Sequence, residues 1–207
     1  SDRGSTDGTE NLLAAVHWAA HGPTPTGENG DASVIIMHAG SDDGICAVMP
    51  GCSARKFHSS KRDAFQGINA QPLGTVTVGR GGDCQIDMDV HTPTREIVTD
   101  PVVFDEDKRI LQLMAGAHMY ADQIELAANY DAILFHGTGL GHLPIEDPNG
   151  DSPENVAMRE AVANYCAEGG HAVMTTQCIH GPVHMDVYSK GRDQQELGIM
   201  GNHATTG

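Results

Sequence analysis

The 207-residue sequence predicts an α/β protein in two parts, and three observations carry that prediction. Beyond residue 108, short β-branched runs alternate with helical stretches, the pattern of right-handed βαβ units and a parallel sheet. Before residue 90 the apolar runs are separated by tight polar or glycine turns, which suits strands joined as hairpins. Between them, residues 91–107 turn to Thr, Pro and acid with little periodicity, the composition of a linker. The expected organisation is a first domain over 1–90, a linker over 91–107 and a second domain over 108–207.

Each element follows from local pattern. A polar, glycine-containing opening leads into Asn11 to Ala20, whose apolar spacing and alanine content predict a buried helix that Gly22-Pro23 ends. Residues 33–38 are a short β-branched run, Asp42-Asp43-Gly44 marks a turn, and Ile45 to Met49 is a second strand expected to pair with the first. A basic loop then runs over 53–65. Leu73 to Val78 and Cys84 to Met88 flank Gly79-Arg80-Gly81-Gly82, a strand, glycine turn and strand that read as a hairpin. In the second part Arg109 to Met114, Asp131 to His136 and His171 to Thr176 are strands. Ala121 to Asn129 and Glu154 to Glu168 are helices, the latter opened by Ser152-Pro153 and stopped by Gly169-Gly170. Ligands of such a sheet are expected at the carboxyl ends of its strands.

Composition narrows the function classes. Lys and Arg number 12 against 28 Asp and Glu, a net charge of −16, and such a surface repels a phosphate backbone. With 39% apolar residues in periodic runs the chain is globular rather than disordered. We read the acidic excess as a surface built for high salt, where screening removes self-repulsion. No apolar run approaches the ~20 residues of a membrane span and no signal sequence opens the chain, so the expected location is the cytoplasm. Five scattered cysteines without a C-x-x-C fit reduced thiols there. His180 and His184 are four apart, but Gly181-Pro182 between them forbids the helix that would align both, so no metal site is expected.

One residue stands out chemically. Lys56 lies in the basic loop with Arg55, His58, Lys61 and Arg62 close by in sequence. Crowded cations disfavour an ammonium, and partial burial acts the same way, so a lysine placed there is suited to relay a proton near neutral pH. The alternative is a solvated basic patch that balances acid elsewhere. Residues 137–144, Gly-Thr-Gly-Leu-Gly-His-Leu-Pro, follow a strand but lack dinucleotide spacing, and read as a backbone-close turn. Cys178 reads as buried filler. Ser59-Ser60 and Thr175-Thr176 are nucleophiles by chemistry only, with nothing local to activate them.

Four separated blocks make a more specific pattern: Ser1 to Leu13, Arg55 to Phe65, Tyr130 to His142 and Met174 to Arg192. Together they resemble the D-subunit family of archaeal glutamyl-tRNA(Gln) amidotransferases, a branch of the asparaginase superfamily, from residue 1 to about 199. The resemblance implies an asparaginase-like α/β fold: the later part of a larger N-terminal domain with a β-hairpin over 1–90, and a smaller C-terminal parallel-sheet domain over 108–207. It implies a glutamine or asparagine amidohydrolase that passes ammonia to a partner, the amidotransferase E subunit, for conversion of Glu-tRNA(Gln) to Gln-tRNA(Gln). ATP and Mg²⁺ are expected in that partner and no cofactor in this chain; the expected assembly is a homodimer within a heterotetramer.

In the family one threonine attacks the side-chain amide while a second threonine, an aspartate and a lysine handle protons. The Arg-Lys-x-His motif places that lysine at Lys56. The nucleophilic threonine and the Thr-Asp pair precede the block that matches Ser1, so the resemblance implies a fragment that does not turn over by itself. After Ile199 the sequence also lacks the acidic, apolar tail expected to complete the last helix. Two other readings are a free-standing L-asparaginase and a non-catalytic remnant that only binds a partner.

Overall fold

Alternating burial along four strands builds the first half of the protein. In the computed structural model, which describes residues 7–22, 33–88 and 105–201, the chain divides into two compact units, Ser1–Val102 and Val103–Gly207. Most of the expected linker lies outside the described residues.

In the first unit β1 (Val34–His38), β2 (Ile45–Pro50), β5 (Gly74–Val78) and β6 (Cys84–Met88) form an antiparallel sheet in the order β1-β2-β5-β6. The two expected pairings are both present, with Ile36 opposite Val48 and Val76 opposite Ile86. Helix α1 (Asp7–His21) buries Asn11, Ala14 and Trp18, a stripe at helical spacing, and its apolar residues join Ile36, Cys46, Val48 and Val76 in one core. The helix is not buried all round as its alanine-rich run suggests: Leu12, Leu13 and Val16 are exposed. Burial pushes the Cys46 thiol up to about 11, helped by the charge of Glu10.

The basic loop is more ordered than its composition suggests. A 3₁₀ turn, Gly51–Ser53, leads into β3 (Ala54–Lys56), which pairs antiparallel with β4 (Phe65–Gly67), Lys56 opposite Phe65. Charged side chains conceal this short hairpin because both strands are only three residues long.

In the second unit β7 (Ile110–Met114), β8 (Ala132–Gly137), β9 (His171–Thr176) and β10 (Ile199–Met200) are all parallel, in the order β10-β9-β8-β7. The parallel sheet is thus as expected, with a fourth strand at one edge. Its crossovers are α2 (Asp122–Glu125), α3 (Pro153–Ala167) and α4 (Ser189–Glu196). Ile133, Phe135, Met158, Val162, Ala172 and Met174 form the centre of the core.

The expected helix over Ala121 to Asn129 is instead one α-turn followed by a 3₁₀ turn, Leu126–Asn129. Bonds of the i→i−3 type, such as Tyr130 N to Ala127 O at 2.9 Å, tighten it so that the chain can enter β8 almost at once. Helix α4 contains no apolar residue and so has no readable period. It is held by tertiary contacts: Gln194 is fully buried, and Gly191 packs its backbone against that of Met185. Among the described residues no helix is long and apolar enough to cross a membrane.

The turn after β8 is built on glycine. Gly141 has φ +104°, and a Cβ there would lie 2.8 Å from Met174 Cγ and 2.9 Å from Val183 Cγ1. Gly141→Ala therefore combines backbone strain with overpacking and is expected to cost about 2 to 4 kcal/mol, read as a lowered urea midpoint. A midpoint equal to that of the parent would contradict this account of the turn.

Candidate functional site

Two places carry chemistry, one in each unit. In the first, pairing of Lys56 with Phe65 sets the lysine ammonium 5.9 Å from the centre of the aromatic ring. Lys56 is exposed, so the partial burial considered for it is not supplied within this unit. The surrounding bases have their own geometry. His58 Nδ1 accepts from the backbone N–H groups of Ser60 and Lys61, both at 3.1 Å, which curls the loop after β3. Arg62 pairs with Asp43 and donates to Ser41 O, holding the Asp43 carboxyl below its ordinary range. Ser59 and Ser60 are exposed.

Beside β4 lies a cavity of about 250 Å³ whose walls include His38, Met49, Asp63, Phe65 and Gln71. The Oδ1 atom of Asp63 is buried there without a hydrogen-bond partner. Sequence reasoning missed Asp63 as anything but a loop acid, since only the fold turns it inward.

In the second unit the carboxyl ends of β8 and β9 bring together Gly137 to His142 and Thr175 to Cys178. Thr175 Oγ1 donates to Phe135 O at 3.2 Å and lies 3.1 Å from His136 Nδ1. Thr176 Oγ1 donates to Gly139 O at 2.5 Å and accepts from the Cys178 N–H at 3.1 Å. Both hydroxyls are buried and committed to backbone, so these threonines hold the edge together rather than offer a nucleophile. Gln177 adds to this by donating Nε2 to Ala115 O and His136 O. Cys178 is exposed, not core filler, because the chain leaves the sheet just before it.

His142, in the same turn, faces Tyr188 edge-on at 5.6 Å, with its Nε2 buried and unbonded. Burial, reinforced by Lys190 and opposed by Glu146, lowers its pKa from 6.5. The folded state thus binds fewer protons here than the unfolded chain, so this contribution is complete above about pH 6.5 and is lost as pH falls through the lowered value. His142→Gln is expected to flatten the fall in melting temperature between about pH 6.5 and 5 relative to the parent. Superimposable profiles for the two proteins would refute it.

Residues 1–89 match the family described as asparaginase, N-terminal, and residues 109–207 match the glutaminase/asparaginase C-terminal domain. The chain belongs to the asparaginase superfamily. Among curated relatives it is 32% identical over 203 residues to the glutamyl-tRNA(Gln) amidotransferase D subunit of Thermoplasma acidophilum. It is 30% identical over 204 residues to the protein of the same name from Thermofilum pendens. These alignments take in 97% of this chain but 43% and 40% of the relatives, so the chain spans about two fifths of their length.

The thermostable L-asparaginase from Thermococcus kodakarensis superposes with a TM-score of 0.69 at 22% identity, covering 99% of this chain and 54% of that one. L-asparaginase I from Vibrio cholerae gives 0.63 at 20% identity, covering 96% and 53%. The fold is asparaginase-like, as the resemblance implied.

Proposed function

We propose that this chain is part of an amidohydrolase that splits glutamine, or asparagine, and delivers the ammonia for conversion of Glu-tRNA(Gln) to Gln-tRNA(Gln). The observation that carries this reading is the 30–32% identity to two amidotransferase D subunits over 97% of the chain. In this chemistry a threonine hydroxyl attacks the side-chain carbonyl carbon, the C–N bond breaks as the nitrogen is protonated, and water then hydrolyses the resulting ester. Lys56 is the proton handler in this proposal. It comes from the Arg-Lys-x-His motif. The attacking threonine is not Thr175 or Thr176, whose hydroxyls are bound to backbone.

The partner in this reading is the amidotransferase E subunit, carrying ATP and Mg²⁺, in a cytoplasmic heterotetramer built on a homodimer of the amidohydrolase. A free-standing L-asparaginase is the second reading, favoured by the names of the two structural neighbours. The third is a piece that binds a partner without turnover, favoured by the committed hydroxyls of Thr175 and Thr176.

Ammonia release from glutamine and asparagine by the full-length protein separates the three. A rate that rises on adding the E subunit and Glu-tRNA(Gln) supports the amidotransferase, indifference to them the free enzyme, and no release the binding piece. In an active full-length protein, Lys56→Ala is expected to lower kcat by about 10² or more. An unchanged rate would return Lys56 to a solvated patch.

The net charge of −16 is, in this proposal, an adaptation to a salty cytoplasm. The melting temperature should then climb as salt is raised from low concentration, because screening relieves carboxylate repulsion. A melting temperature independent of salt would defeat it.

A further inference from the structure

Away from the lysine hairpin's own side chains, α1, the end of β1 and the following turn bring three potential ligands together. These are Glu10, His38 and Asp43, whose ligand atoms all lie within 4.8 Å of one another. They stand 28 and 33 residues apart along the chain from the first, so no spacing rule signals them.

His38 is the fixed member. It is 1% exposed, and its Nδ1 lies 2.7 Å from Asn11 Oδ1. The same Oδ1 accepts the Cys46 thiol at 3.5 Å, which orients the carboxamide oxygen inward and makes Nδ1 of His38 the hydrogen-bearing nitrogen. An imidazole held in that tautomer turns the lone pair of Nε2 toward Glu10. Nε2 meets Glu10 Oε2 at 2.9 Å, and that oxygen already accepts the Gly44 N–H at 2.8 Å.

Nε2 and Oε2 share a hydrogen bond at 2.9 Å as they stand, and a metal ion with bonds of about 2.0 to 2.1 Å to each fits beside the line joining them once that hydrogen is displaced. Asp43 supplies a third donor at the same point, kept ionised by Arg62 on its Oδ1. A ring whose second nitrogen donates to a carbonyl oxygen is also how metal-binding histidines are held in place.

We propose that Glu10, His38 and Asp43 form a binding site for a divalent cation of the zinc type, with Asn11 orienting the histidine. One imidazole nitrogen and two carboxylate oxygens suit such a borderline ion, with water completing a tetrahedron. Calcium and magnesium, which take oxygen ligands, suit the imidazole poorly. The ion joins α1 to β1 and to the turn before β2, so its role is to staple the helix to the sheet.

The test uses the 207-residue chain, freed of metal with a chelator and titrated with Co²⁺. One Co²⁺ per chain is expected, with visible absorption bands that Zn²⁺ displaces, and Zn²⁺ should raise the melting temperature. His38→Gln should abolish the bands. Should that variant fail to fold, Asp43→Asn, at an exposed position, should keep the fold and weaken Co²⁺ binding about tenfold or more. Asn11→Ala should weaken it by about 10- to 100-fold, as loss of an orienting partner does. Absence of bands, or bands unaltered by these substitutions, would overturn the proposal and leave a proton alone between His38 and Glu10.

Discussion

The second unit depends on one short turn whose carbonyl oxygens are all spoken for. Between Gly137 and Gly141 the backbone accepts from Gln177 N, Thr176 Oγ1, His184 N and Gln194 Nε2, groups that arrive from β9, from the loop after it and from α4. Gln194 closes the circuit by accepting the Leu143 N–H through its Oε1 at 2.6 Å. Thr176 and Gln194 are buried, so their bonds avoid a desolvation cost larger than their own net gain. Only glycine lets the backbone come so close: a Cβ on Gly137 would sit 2.6 Å from Met174 Sδ and 2.7 Å from His142 N. The carboxyl edge of the parallel sheet is therefore a rigid platform before it is anything else, and the threonines at the end of β9 are part of its frame.

The first unit solves a related problem around a deeply buried histidine. Helix α1 has a narrow buried stripe, and two consecutive residues of its first turns, Glu10 and Asn11, reach the two ring nitrogens of His38. A histidine this deep must have both nitrogens satisfied, and the helix supplies both partners. The same arrangement fixes which nitrogen carries its hydrogen and so gives the cluster its chemical character. Lys56 presents the opposite case. Its ammonium rests against the Phe65 ring, where pairing of two short strands sets its position while leaving it exposed.

The long apolar runs were legible because burial on one or both faces imposes a period that side-chain chemistry alone displays. Ile133 and Phe135, alternating with half-buried neighbours, show it in β8, as do Val76 and Val78 in β5. Helix α3 was legible for a different reason, its proline start and double-glycine stop. Elements held by other means were not. Helix α4 is stabilised by a buried glutamine and a glycine contact, β10 by pairing of two residues with Ala172 and Val173, and β3 by a partner nine residues away. The 3₁₀ turn after α2 reflects how soon the chain must enter β8, a constraint belonging to the sheet and not to its own residues.

By itself the sequence determined the α/β class, the two-part organisation of its patterns and the parallel character of the second sheet. Those properties reside in periodicity, turn chemistry and local motif, all of which act over a few residues. The tertiary structure alone decided that Thr175 and Thr176 are scaffold, that Cys178 is exposed, that Asp63 turns an oxygen inward, and that Glu10, His38 and Asp43 meet. Each of these depends on groups far apart in the chain being brought within hydrogen-bonding distance, and a linear pattern holds no record of distance in space.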